Sequence, residues 1–267
     1  MKLLTLNTHS LIENDYLKKL NIFADFVVRQ MPNIVILQEV MQPANSKEVL
    51  TRHSVAGKIP LRAGNHALNV LKLLKERGVE YHLIWLGIKK GYDQFDEGLA
   101  ILTLEPYEDI DVIQLSPFDD YNNWKTRKAL GVKAGGFWIY NVHMGWWDDK
   151  DSPFQYELSR LYEGVIGKEL TLFAGDFNTV DNDAGYDLIL KQGLWDTYSL
   201  AKEKDDGKTA SLGIDGWGQA GYDKRIRIDY VFSSKPIEVH SSYTVFNGRD
   251  EPTVSDHCGI LLNFEVT

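Results

Sequence analysis

Polar residues follow four apolar runs: Asn7 after residues 2–6, Gln38 and Glu39 after 34–37, His143 after Tyr140-Asn141-Val142, and Gly175-Asp176-Phe177-Asn178 after 171–174. Carboxylates, carboxamides and an imidazole are groups that can carry chemistry when they meet around a ligand. Two later segments add to the set. Arg227-Ile228-Asp229-Tyr230 places a carboxylate within an otherwise apolar run, and Ser255-Asp256-His257 immediately precedes the last run. A carboxylate there is costly unless it has a partner. A single polar residue at a strand end is more often a turn former or a solvated group. Its repetition is what points to convergence, because strand ends are rigid places from which side chains can meet around a ligand.

The positioning elements read as short aliphatic or β-branched runs at 2–6, 34–37, 83–86, 99–102, 112–115, 137–142, 171–174, 228–232 and 259–264, which predict strands. Between the first two, Leu17, Leu20, Phe23, Val27 and Met31 share a helical face, with Asn14 and Asp15 as capping candidates and Pro32 as the stop. The chain therefore opens as β-α-β. Further helices are expected over 67–76, 154–166 and 184–192, and sizeable loops over 45–65 and 205–222. Closely spaced strand runs after residue 83 suit helices outside paired sheets. We expect one α+β domain over residues 1–267, with no repeat or low-complexity linker.

Composition narrows the partners. The net charge is −9 with a pI near 5.3, and the basic clusters, Lys89-Lys90 and Lys224-Arg225-Ile226-Arg227, are short. A protein that grips duplex nucleic acid usually presents a basic face, so nucleic acid is not the expected substrate. The opening MKLLTLNTHS has no signal-peptide core, no apolar stretch approaches membrane-spanning length, and the lone Cys258 has no internal disulfide partner. We expect a soluble cytoplasmic protein without membrane contact.

In order, Asn7, Gln38-Glu39, Asn141-Val142-His143, Gly175-Asp176-Phe177-Asn178, Arg227-Ile228-Asp229-Tyr230 and Ser255-Asp256-His257 resemble the motif set of the endonuclease/exonuclease/phosphatase superfamily. The resemblance spans nearly the whole chain. It implies a four-layer α/β/β/α sandwich of two mostly antiparallel sheets, the DNase I-like fold, and a metal-dependent phosphoric ester hydrolase. It also implies roles. Glu39 and Asn7, with Asp256 nearby, would hold Mg²⁺, with Mn²⁺ as an alternative. Asp176 would deprotonate the attacking water, and Asn178 would bind phosphate or fix that base. His257, held by Asp229, would contact the phosphoryl oxygens, while His143 would assist the leaving oxygen.

Substrate class rests on fewer residues. Trp146 and Trp147 follow His143, and Tyr121, Trp124 and Trp217 lie in other loop segments. Aromatic faces stack on sugar rings or bases, or else simply pack the sandwich edge. If extended, adjacent Trp146 and Trp147 point opposite ways, so one of them can face a cleft. His9 either reaches the site from beside Asn7 or stabilises a turn, and Arg127 either aims a guanidinium at phosphate or is a solvated loop residue. Together with the acidic composition, these features resemble the bacterial sugar-phosphate phosphatases of the superfamily, which makes a small phosphorylated sugar such as maltose 6'-phosphate the expected substrate. The alternatives are a phosphodiesterase of the nuclease or sphingomyelinase type and, in another class, a noncatalytic binding module.

Overall fold

The computed structural model describes residues 1–210, 214 and 225–266, so Trp217 and most of the expected 205–222 loop lie outside the described residues. The chain runs β1 (Lys2–Asn7), α1 (Tyr16–Gln30), β2 (Ile34–Pro43), β3 (Ser54–Val55), α2 (His66–Glu76), β4 (His82–Gly91) and β5 (Phe95–Thr103). It continues with β6 (Asp109–Gln114), β7 (Lys128–Ala134), β8 (Phe137–His143), α3 (Phe154–Gly164), β9 (Thr171–Asp176) and α4 (Ala184–Lys191). The last part holds β10 (Trp195–Asp196), α5 (Thr197–Leu200), β11 (Glu203–Lys204), β12 (Asp229–Ser233), β13 (Glu238–Val245) and β14 (Gly259–Glu265). One sheet has the order β11-β13-β14-β1-β2-β5-β4-β3 and the other β10-β12-β9-β8-β7-β6.

Three apolar interfaces hold four layers together. Leu3, Ile34, Ile36, Ile101 and Leu262 of the first sheet face Leu130, Ile139, Leu172 and Val231 of the second. The alternate residues Leu4, Leu6, Val35 and Leu37 turn outward onto Leu20, Phe23 and Val27 of α1, in a cluster that also takes in Val70 and Leu74 of α2. Tyr140, Phe173 and Phe232 turn outward onto Phe154 and Leu158 of α3 and Ile189 of α4. Strands buried on both faces read as unbroken apolar runs, which is why the sequence shows them so clearly. No helix among the described residues is long and apolar enough to cross a membrane.

Several expectations need correction. Leu17 is 70% and Met31 40% exposed, so the packing face of α1 is Leu20, Phe23, Ala24, Phe26 and Val27. Asp15 caps that helix through its backbone, with no capping bond from its side chain. Two full strands went unread, β7 and β13, because lysine, glycine, serine and histidine interrupt their apolar alternation. Gln38 and Glu39 do not follow β2 but lie within it, at a break in register between Leu37 and Val40.

Topology brings the chemistry to one rim. β1 and β2 are parallel in one sheet, as are β8 and β9 in the other, and His143 registers against Asp176 at their carboxyl ends. β12 runs antiparallel to β9 and starts with Asp229 opposite Asp176. β14 runs antiparallel to β1, so His257, just before it, arrives beside Asn7.

Candidate active site

The break in β2 is a β-bulge, and it turns Glu39 toward the rim, with φ at +50°. Opposite it, Gly98 of β5 pairs with Val40 and also with Gly87, next to a second bulge in β4 that lies between Gly87 and Lys89. A Cβ on Gly98 would sit 1.9 Å from the Leu86 carbonyl oxygen, so only glycine fits between the two bulges. Beneath them, Gln38 is fully buried and faces away from the cavity. Its Nε2 donates to Asn141 Oδ1 at 2.7 Å, while Asn141 Nδ2 donates to the carbonyls of Leu37 (2.8 Å) and Ala100 (3.0 Å).

Asp176 is the centre of the site. Its Oδ1 accepts from the Asn178 backbone N–H at 2.9 Å, and its Oδ2 accepts from Asn7 Nδ2 at 3.0 Å. Asn7 Nδ2 also donates to Glu39 Oε1 at 2.9 Å, joining the two carboxylates. His143 Nε2 and His257 Nε2 approach Asp176 Oδ2 at 3.8 and 3.9 Å. Asn178 adopts φ +46° and is anchored by donation from Nδ2 to the Met144 carbonyl at 3.0 Å. On the far side, His257 Nδ1 lies 2.9 Å from Asp229 Oδ2, the partner that the buried carboxylate required.

Burial disfavours charge and the neighbours decide the outcome. Burial, with Asp229 adding to it, pushes the Asp176 carboxyl up to about 7. Glu39 is also raised, first by burial and then by Glu97. Burial holds His143 well below 6.5, and Arg127 and Lys89 deepen the effect. For His257 burial acts downward, but the charge and hydrogen bond of Asp229 outweigh it, so the imidazole sits well above 6.5. The two histidines are thereby shifted in opposite directions, His143 toward its neutral form and His257 toward its charged one.

These groups open onto a cavity of about 320 Å³ whose wall includes Glu39, Asp176, Asn178, His143, His257 and Asp256. Arg127, which the sequence left open, lines it and is only 5% exposed, so the solvated-loop reading is wrong. Trp146 lines the cavity, whereas Trp147 packs on Phe154 outside it, with ring centroids 5.9 Å apart. His9 also lines it, with Nδ1 2.9 Å from Glu13 Oε1. Sequence reasoning missed Lys89, Glu97 and Tyr92 in this wall. The available signal was the basic pair Lys89-Lys90 at the end of one apolar run and the acidic pair Asp96-Glu97 at the start of the next.

The donor set suits a hard divalent cation. Glu39, Asp176 and Asp256 all lie at the cavity, and among the described residues Glu39 has no lysine or arginine within ion-pairing distance. Among the described residues two groups bring ligand atoms within 4.8 Å of one another, His9, Glu13 and Asp256, and Asp176, Asp229 and His257. Glu39, whose charge is disfavoured by burial and by Glu97, and Asp256 supply the hard oxygen donors that a dication of the magnesium type takes.

The model of the Endonuclease/Exonuclease/phosphatase family matches residues 4–257, and the chain belongs to that family. Its members are metal-dependent phosphoric ester hydrolases, and this protein is one of them. Among solved structures, an endonuclease/exonuclease/phosphatase family protein from Leptotrichia buccalis is 29% identical, with a TM-score of 0.89 and full coverage of both chains. A mannosyl-6-phosphatase from Bacteroides thetaiotaomicron is 18% identical over the whole of both chains, with a TM-score of 0.68. A 3' phosphatase from Neisseria, bound to a product DNA hairpin, is also 18% identical over the whole of both chains, with a TM-score of 0.65. No curated protein matches the sequence.

Proposed function

We propose that the protein is a Mg²⁺-dependent phosphomonoesterase that hydrolyses a small sugar phosphate, a phosphorylated disaccharide such as maltose 6'-phosphate being the class to test first. The observation that carries this reading is the cavity. Its volume of about 320 Å³ suits a small ligand rather than a polymer, its wall holds the buried cations Lys89 and Arg127, and Trp124, Trp146 and Tyr92 offer aromatic surface. The mannosyl-6-phosphatase among the similar folds is consistent with a sugar phosphate.

Glu39, with Asp256 and the Oδ1 of Asn7, would hold the cation, which when bound polarises a phosphoryl oxygen and offsets developing charge. Asp176, fixed by Asn178 and Asn7, takes the proton of the attacking water. His257, kept positively charged by Asp229, binds phosphoryl oxygens as charge builds on them. His143, whose positive form is suppressed, hydrogen-bonds the departing sugar oxygen. Arg127 anchors the phosphate with its planar fork, and Trp146 and His9 border the sugar. Trp147, packed on Phe154, lies outside the cavity and takes no part in binding the sugar.

The test is phosphate release from a panel of sugar phosphates, nucleotides, abasic-site DNA and sphingomyelin, with Mg²⁺ and again with EDTA. Metal-dependent release from a disaccharide phosphate, with DNA untouched, is the expected result. Cleavage of DNA or lipid in preference to every sugar phosphate would overturn the substrate assignment and leave the catalytic residues in place.

A further inference from the structure

Lys89 and Arg127 are two buried cations held side by side. Lys89 Nζ donates to the Trp124 carbonyl at 2.7 Å, and Arg127 Nη1 donates to the same oxygen at 3.0 Å. Among the described residues they have between them one ion-pairing carboxylate, Glu97, whose Oε1 lies 3.2 Å from Lys89 Nζ. Among the described residues Arg127 has no carboxylate in ion-pairing range, and its buried Nε has no hydrogen-bond partner. The lysine side chain is 8% exposed, and two of its three ammonium donors are accounted for by Trp124 and Glu97. Unpaired positive charge is costly at such depth. Both residues line the catalytic cavity, so an anion entering it would meet the surplus charge.

The fold invests specifically in this placement. Lys89 follows the bulge in β4, Glu39 sits in the bulge in β2, and Glu97 lies between them on β5. The result is a row of Glu39, Glu97 and Lys89 across three neighbouring strands, all lining the cavity. Without the β4 bulge, a shift of one residue would send the lysine to the opposite face of the sheet.

We propose that Lys89 determines specificity by recognising the second negative charge of a phosphomonoester dianion, and so sets the preference of this enzyme for monoesters over diesters. The inference rests on the phosphomonoesterase reading and adds to it the residue that enforces the choice. A diester carries one charge and can be met by Arg127 alone. A monoester near neutral pH carries close to two, and the remaining ammonium donor of Lys89 is placed to meet the second.

The test compares p-nitrophenyl phosphate with its methyl ester, which share a leaving group and differ by one negative charge, in the Mg²⁺-loaded parent, Lys89→Met and Lys89→Arg. Lys89→Met is expected to lower kcat/KM for the monoester at least tenfold and for the diester less than threefold, while Lys89→Arg keeps most of the parent's ratio. A second readout needs no metal: inorganic phosphate should raise the melting temperature of the parent and of Lys89→Arg in EDTA, and raise that of Lys89→Met less. Equal losses on both substrates would assign Lys89 a structural role and overturn the proposal, as would an unchanged ratio. A parent that prefers the diester would overturn the phosphomonoesterase reading instead. In that event the change of ratio on Lys89→Met still decides whether this lysine reads charge.

Discussion

Replacing Asp176 with asparagine is expected to stabilise the metal-free protein while removing its activity. Burial and Asp229 raise this carboxyl from 3.8 to about 7. A group whose folded-state value is raised gives its full stabilisation below the unfolded value and loses it as pH rises through the folded one, here between 3.8 and about 7. Above that window the ionised carboxylate opposes folding by roughly 4 kcal/mol, taking about 1.36 kcal/mol for each unit. Asparagine removes that term but faces Asn7 Nδ2 with an amide, losing a hydrogen bond of 3.0 Å. That loss costs about 1–2 kcal/mol, which leaves a net gain of about 2 kcal/mol and a melting temperature higher by roughly 4–8 °C at pH 8.5. At pH 5 the charge cost and the lost bond nearly cancel, at about 1–2 kcal/mol each, and the two proteins should melt together. Turnover with Mg²⁺ should fall by about 10²–10⁴ because an amide cannot take the proton of water. Melting curves in EDTA at both pH values, beside phosphate release, decide the matter. A variant that melts lower at pH 8.5, or by the same difference at both pH values, would refute the burial argument, and turnover within about tenfold of the parent would remove Asp176 as the base.

Three further outcomes follow from the same geometry. Glu39→Gln should raise the Mg²⁺ concentration for half-maximal activity by about tenfold or more, and an unchanged titration would count against Glu39 as a ligand. Asp229→Asn removes the charge that holds His257 above 6.5, so kcat should fall by about 10²–10³ and the alkaline limb of the pH profile should move to lower pH; a profile superimposable on the parent's would mean that the pair does not act. Burial lowers His66 from 6.5 to about 4, so its contribution is intact above pH 6.5 and is lost as pH falls toward 4, by roughly 3 kcal/mol. His66→Gln should therefore flatten the fall in urea-unfolding stability across that window, and an equally steep fall would place the acid sensitivity elsewhere.

What the sequence disclosed and what it withheld follow different physics. Asn7, Asp176, Asn178, His143, Asp229 and His257 were readable because each stands where an apolar run ends or is interrupted, and a strand buried on both faces makes such a break conspicuous. Glu39 was readable as a residue but not in its placement, since a bulge is defined by the register with β5, which no local pattern contains. Lys89 and Glu97 were hidden for a related reason. Charged residues within a strand ordinarily mark a solvated face, and only the pairing of β4 with β5 sets these two against each other under Trp124. The end positions of α1 misled for two reasons: Leu17 keeps the 3.6-residue period but is exposed, and Met31 stands outside the helix as its C-cap, with φ at +48°, where the helical period no longer holds.

The site also explains a polar contact that would otherwise be out of place in the interface between the two sheets. At the β2 bulge the ladder between β2 and β5 is interrupted just after Leu37, which registers against Ala100. Asn141, reaching across from β8, donates to the carbonyls of both residues and accepts from Gln38 within the bulge itself. One carboxamide of the second sheet thus replaces the bonding that the first sheet gives up to turn Glu39 toward the cavity. Two positions further along β8 is His143, which registers against Asp176. The strand that repairs the bulge is therefore the strand that carries the second histidine and aligns the base, so Glu39 cannot shift along the rim independently of His143 and Asp176. A buried hydrogen-bond network of this kind contributes little net stability but selects one register of sheet on sheet. A site assembled from both sheets needs that selection, because a slip of one residue would separate Glu39 from Asp176 while leaving each sheet intact.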